Sequence, residues 1–296
     1  MRGLRDLGGG DVRACASWLH GRGGGAVTAL RARAPHAGLA LLIAVFAVFF
    51  LLPFAGLLER GLGDSRAWDA ITSSTAADAL ALSLWTSAVA LVIAVVAGTP
   101  VAYWLSHARF PGKGAVEALI DLPIVLPPTI AGVALLTAFG RKGLLGAPLD
   151  EWFGLTLGFS TVAVIMAQLF VGAPFYVRAA RAGFASVDDQ YERVAHTLGA
   201  SKLRTFVRIV LPLSWPSLAA GAALCWARAL GELGATLIFA GNLQGETQTM
   251  PLAILSAFES ADGLTTAVAL AILLLAVALV ALAAFWLLST RRQGIA

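Results

Sequence analysis

Two charged residues interrupt an otherwise uncharged apolar run: Arg228 and Glu232, in Arg228-Ala-Leu-Gly-Glu232-Leu-Gly-Ala-Thr236. At i and i+4 they share a helix face and can pair. A charge near the centre of a bilayer costs at least about 2.5–3.5 kcal/mol, so such residues turn toward a bundle interior or an aqueous cavity. Two chemistries fit: a structural ion pair that locks neighbouring helices, or a gate on a pathway where Arg228 offers its charge to an anion. Thr236 and, in the loop beyond, Asn242 are assigned to the same pathway. A second irregular stretch, Asp121-Leu-Pro-Ile-Val-Leu-Pro127-Pro128-Thr129, carries three prolines. They remove backbone donors and restrict the residues before them, so the helix must break or restart there. In a membrane such backbone is tolerated only when buried in protein or lining a water-filled cavity. Pro127, Pro128 and Thr129 are therefore expected to line a pathway, with a packed kink as the plainer alternative.

Nothing else in the chain has the spacing of a catalytic or metal centre. Gly112-Lys113-Gly114 lacks both the upstream glycine and the following hydroxyl of a phosphate-binding G-x-x-x-x-G-K-[ST] loop, and neither G-x-S-x-G nor H-E-x-x-H occurs. The four histidines, His20, His36, His107 and His196, are scattered without ligand spacing. Cys15 lies in a polar tail and Cys225 in an apolar run, which gives no disulfide framework. The chain is expected to be no enzyme, and to hold no metal and no cofactor of its own.

These residues sit in a chain built for a membrane. Of its 296 residues 58% are hydrophobic and only 13% charged, about half the charge of a soluble domain. Six apolar stretches are long enough to cross roughly 30 Å of hydrocarbon. They run over 38–58, 79–106, 121–139, 152–177, 214–240 and 263–290, and only the fifth carries internal charge. If both termini are cytoplasmic, sixteen Lys and Arg fall on inside segments against four outside, a bias that sets this orientation. The basic balance thus reports topology rather than affinity for nucleic acid. Residues 1–36, rich in Gly and Arg, read as a flexible cytoplasmic extension, and 37–296 as the membrane domain. Gly221, Gly231 and Gly234 would let helices approach closely within lipid. No repeat of fixed period is present, and the proline-rich break has no counterpart in a second half, as the inverted repeats of secondary transporters would require. No filter-like or charged-ring segment suggests a channel.

The longest polar interlude, Ser186 to Pro216, lies between the fourth and fifth stretches. Ser186 and Asp189 read as a capping box. Val187, Tyr191, Val194 or Ala195, and Leu198 then form one apolar stripe at helical spacing. Gly199 stands where a left-handed residue ends a helix. A second helix is expected from Lys202 to Leu211, stopping before Pro212. Glu192, Gly199 seven residues on, and Ile209-Val-Leu211-Pro212 resemble the "EAA…G…I-LP" loop of ABC importer permeases, with Arg193 and Val194 in place of the two alanines. In that family the loop forms a cytoplasmic coupling helix seated in a groove of the ATPase subunit. Carried onto this sequence, the coupling residues are Asp189, Tyr191, Glu192, Ala195, Leu198, Gly199, Ala200, Ile209, Leu211 and Pro212.

Three stretches together are similar to the molybdate permease branch: LPIVLPPTIAGVALLTAFGRKGLLG, the coupling stretch, and ARALGELGATLIFAGNLQGETQTMPLAI. The similarity spans about 79–289. Sulfate/thiosulfate and tungstate permeases share the plan and remain alternatives, with a secondary anion transporter further off. The resemblance implies an all-α polytopic membrane protein with six transmembrane helices, N-in/C-in, of the type I ABC importer permease fold. It implies a bacterial inner membrane location and a second copy of the chain. It also implies two cytoplasmic ABC ATPase subunits that bind ATP-Mg, and a periplasmic molybdate-binding protein; no nucleic acid is involved.

Overall fold

The computed structural model describes residues 34–63, 65–260 and 263–293. The extension expected over 1–36 lies outside them up to position 33, as do Cys15 and His20. Among the described residues all regular structure is helical. The chain divides into a unit ending at Leu57 and a second beginning at Leu58. The first unit contributes most of α1 (Ala34–Leu62), which is apolar on every side. The second holds α2 (Ser65–Ile71), α3 (Ser74–His107), α4 (Lys113–Val125), α5 (Pro128–Phe139), α6 (Gly146–Phe153) and α7 (Thr161–Ala185). Then come α8 (Asp189–Thr197), α9 (Lys202–Thr205), α10 (Leu211–Leu230), α11 (Gly234–Phe239), α12 (Met250–Phe258) and α13 (Gly263–Gln293).

Among the described residues five helices are long and apolar enough to cross a membrane, and a further apolar pair, α4 and α5, is bent by 114° at a short break, as in a broken span or a re-entrant loop. The break falls at Leu126 and Pro127, where the proline run required it: Leu126 is extended, and Pro128 opens α5 at the position where a missing N–H costs nothing. Two boundaries differ from expectation. The fourth crossing starts at Thr161 rather than near Trp152. Gly154, at φ +63°, stops α6, and Ser160 begins a new helix by accepting the Ala163 N–H. The fifth does not run to Ala240. It ends at Leu230, and Gly231–Leu233 separate it from α11.

A third difference lies at Pro212. The helix was expected to stop there, yet α9 passes through a π-turn, Phe206–Val210, straight into α10, giving one continuous helix from Lys202 to Leu230. Pro212 has no N–H to return to the preceding turn. The wider turn, closed by Leu211 N–H to Phe206 O, carries the chain past that gap.

The core is the packing of α7 between α3 and α10. Small residues set the spacing. A Cβ on Gly98 would lie 3.0 Å from Val177, one on Gly221 would lie 2.7 Å from Ala179 Cβ, and one on Gly183 would lie 2.5 Å from Ser217 Cβ. Without a hydrophobic drive between helices in lipid, such close approach maximises dispersion contact. Tyr176, Ala180, Phe184, Val210 and Leu218 fill the space so defined.

Candidate functional site

Two groups of residues stand out, at opposite ends of the helix from Lys202 to Leu230. The first is α8 and its anchors. Its start is capped not by Ser186 but by Asp188, whose carboxylate accepts the Gln190 N–H at 2.8 Å. Ser186 still has helical backbone as the C-cap that follows Ala185 of the preceding helix, and its hydroxyl donates to Gly183 O instead. Asp189 and Glu192 fall in the first turn, where the helix dipole favours acidic side chains. At the other end Gly199 adopts φ +80°; its N–H donates to His196 O and that of Ala200 to Ala195 O, each at 3.0 Å. This 6→1 and 5→2 pair closes the helix and needs a left-handed residue between.

The two faces of α8 differ. Glu192 and Ala195 turn inward. The Glu192 carboxylate accepts from the Tyr103 hydroxyl of α3 at 3.2 and 3.3 Å, and His107 Nε2 lies 3.3 Å from Glu192 Oε1. The Tyr103 ring stands edge-on to Phe184 of α7 and Phe206 of the π-turn, with centroids 5.5 and 4.8 Å apart. The carboxylate thus ties α8 to α3, and the Tyr103 ring carries the contact on to α7 and the π-turn. Nearby, Arg181 Nη1 pairs with Glu117 at 2.8 Å, joining α7 to α4. Outward stand Tyr191, Val194 and Leu198, the last 82% exposed, with Leu203 and Val207 continuing the apolar surface. Asp189 and Pro212 are exposed; Ala200, Ile209 and Leu211 are half-buried. Of the apolar stripe read from the sequence, Tyr191, Val194 and Leu198 therefore face away from the bundle, while Ala195 is buried and Val187 packs against the core. Tyr103, His107, Glu117 and Arg181 were not singled out from sequence, because nothing local to them signals a partner many residues away.

The second group surrounds two helix breaks. Arg228 Nη1 and Glu232 Oε2 pair at 2.6 Å, so the i, i+4 reading holds, although Glu232 lies just beyond the end of α10 rather than inside a helix. Its other oxygen accepts the Ala235 N–H at 2.7 Å and caps α11. Glu232 is 1% exposed. The elbow between α10 and α11 packs on the elbow between α4 and α5. A Cβ on Gly234 would lie 2.7 Å from Pro128 Cβ, and one on Gly132 would lie 2.8 Å from Ile238 Cβ. Gly231 is not part of this contact: a Cβ there would meet only Ala227 O, at 3.5 Å.

Pro127, Pro128 and Thr129 are exposed at this junction, and Thr236 is fully buried with a hydroxyl that has no partner. Asn242 is directed elsewhere, its amide donating to Ser256 Oγ of α12 at 2.7 Å. Sequence reading missed Gln168 of α7. Its side chain is fully buried, with neither amide atom hydrogen-bonded. A lone polar residue in an apolar run gave no spacing to read. Outside the spans, Arg141 Nε donates to Asp150 Oδ2 at 2.9 Å, and that bond raises the guanidinium pKa above its ordinary value. Among the described residues no cluster of three or more His, Cys, Asp or Glu could hold a metal ion.

A family profile described as "Binding-protein-dependent transport system inner membrane component" matches residues 90–293. The chain is 39% identical over 204 residues to the "Molybdenum transport system permease protein ModB" of Escherichia coli (strain K12), covering 69% of this chain and 89% of that protein. It is 41% identical over 231 residues to the protein of the same name from Mycobacterium bovis, covering 78% of this chain and 86% of that one. A chain in the crystal structure of a bacterial ABC transporter involved in the import of the acidic polysaccharide alginate superposes with a TM-score of 0.71, over 89% of this chain and 98% of that chain. At 17% identity that likeness speaks for the fold alone.

Proposed function

The chain belongs to the binding-protein-dependent transport system inner membrane components, and from that premise we propose that it is the permease subunit of an ATP-driven molybdate importer in a bacterial inner membrane. The observation that carries the coupling half of this reading is the two-faced α8. Glu192 and Ala195 fix it to the bundle, while Tyr191, Val194 and Leu198 lie open to a partner. An apolar helix face at the membrane edge suits the groove of a cytoplasmic ATPase subunit. The Lys and Arg bias toward the segments at this end agrees with that side being cytoplasmic. The molybdate half rests on the two permeases of that name.

In this reading two copies of the chain enclose the pathway, two ATPase subunits bind ATP-Mg, and a molybdate-binding protein docks on the far side. Closing of the ATPase pair moves α8. Through Glu192 and Tyr103 that movement enters α3 and α7, and through α9 and the π-turn it enters α10, whose other end carries Arg228. The permease need only have two stable packings, with nucleotide and loaded binding protein each favouring one through differential contacts.

The test is ATP-driven uptake of labelled molybdate into proteoliposomes holding the chain, its ATPase and its binding protein, with excess sulfate as competitor. Uptake that resists sulfate and is lost in Glu192→Ala, with the complex still assembled, supports both halves. Sulfate uptake without molybdate uptake would overturn the substrate and keep the importer. Failure of the chain to associate with an ATPase would overturn the coupling reading.

A further inference from the structure

Resting on the importer reading, we propose that Gln168, Thr236 and Arg228 form a transit subsite for the carried oxyanion, which the Glu232 carboxylate closes in this structure. The starting observation is a set of buried polar groups with nothing to bind. Both amide atoms of Gln168 and the hydroxyl of Thr236 lack hydrogen-bond partners, and both side chains are fully buried. Burial of such groups without a partner opposes folding, so an orphaned pair calls for a partner that arrives at another stage.

Helix register places these groups beside the ion pair. α7 and α10 run antiparallel, with Gly183 against Ser217, Gly221 against Ala179, and Gly172 against Cys225 and Ala229. Each step back along α7 is thus a step forward along α10. Gln168, one turn before Gly172, comes level with Gly231 and Glu232. Independently, Ala235 and Phe239 of α11 pack in one cluster with Ala163, Val164 and Ala167 of α7. Gln168 stands one turn after Val164 and Thr236 one turn before Ala240, so each shares a helix face with a member of that cluster.

The chemistry fits a transported dianion. An amide N–H2 and a hydroxyl are neutral donors, and Arg228 supplies one charge, which is balanced here by Glu232 at 2.6 Å. Neutral donors hold an oxyanion by hydrogen bonds without the deep well that a cluster of cations would create, so release stays fast. Glu232 stands where the substrate would stand. One of its oxygens takes the guanidinium and the other takes the Ala235 N–H. A purely structural network would have enlisted Gln168 and Thr236 as well, and it has not. When the α10–α11 elbow opens, Glu232 leaves Arg228, and the oxyanion takes the guanidinium together with the amide and the hydroxyl.

The test uses the full complex, with two readouts: molybdate imported per ATP hydrolysed in proteoliposomes, and labelled molybdate retained by equilibrium dialysis on the complex trapped with ATP and vanadate. Gln168→Leu and Thr236→Val should each lower both at least tenfold, while Thr236→Ser, which keeps the hydroxyl, should stay within twofold of the parent. If Gln168→Leu fails to assemble, the Thr236 pair decides alone. Import per ATP unchanged in Gln168→Leu or Thr236→Val overturns the subsite and leaves the importer standing. A parent complex that imports no oxyanion at all overturns the importer reading, and the subsite with it.

Discussion

Glu192 and Glu232 are both carboxylates that hold helix ends in place, and they do so under opposite conditions. Glu192 is partly exposed, and its bonds to Tyr103 are long, 3.2 and 3.3 Å. Water can replace those bonds, so α8 is held by contacts that a partner protein can rearrange at little cost. Glu232 is sealed from solvent, with an ion pair of 2.6 Å to Arg228 and a hydrogen bond of 2.7 Å from the Ala235 N–H. The Arg228 side chain is 30% exposed, but no water reaches the Glu232 carboxylate, so opening the elbow leaves that carboxylate without its partners. Under the importer reading, the first end answers to the ATPase and the second to the carried anion.

The largest effect should come from Glu232→Ala. It strands Arg228, whose side chain is 30% exposed, and uncaps α11; the lost charged contact costs about 1.5–3 kcal/mol and the lost cap about 0.5–2 kcal/mol. The readout is thermal melting of the purified permease, and a drop of less than a few degrees would leave Glu232 no more structural than Glu192. Next comes Gly199→Val, which forces a β-branched residue to φ +80° at a cost of about 1–3 kcal/mol, confined to the α8 terminus. Melting of the bundle should fall slightly, while co-purification with the ATPase should fall sharply. Tyr103→Phe removes only the hydrogen bond to Glu192. It should destabilise the fold by about 1 kcal/mol and lower the ATP-hydrolysis response to loaded binding protein severalfold. Smallest for stability is Leu198→Ser: an exposed change within about 0.5 kcal/mol. Its loss should show instead in ATPase affinity, measured by titration in detergent, and unchanged affinity would leave the outward face of α8 without a role.

Local chemistry was legible in the sequence wherever it decides structure alone. The proline run at 121–129 announced the α4–α5 break, and Gly199 announced the end of α8. The second break was hidden, because Gly231 and Gly234 read equally well as packing glycines; only the α5 surface against which Gly234 packs distinguishes the two. Ser186 and Asp188 compete for one cap, and the winner is set by where α7 stops rather than by either residue's preference. The partners of Glu192 and the isolation of Gln168 depend on residues far along the chain. The long apolar helices could be counted from hydropathy, but the buried polar groups packed among them could not.

The helix from Lys202 to Leu230 has no non-helical residue in its 29. At 1.5 Å per residue it is a lever arm of about 40 Å. Pivoted near the membrane midplane, a tilt of roughly five degrees carries each tip about 2 Å, in opposite senses. A displacement of that size exceeds the length tolerance of a hydrogen bond. Under the importer reading, small travel at the α8 tip is therefore enough to part the Arg228 guanidinium from the Glu232 carboxylate, provided the Gly231–Leu233 elbow bends with it.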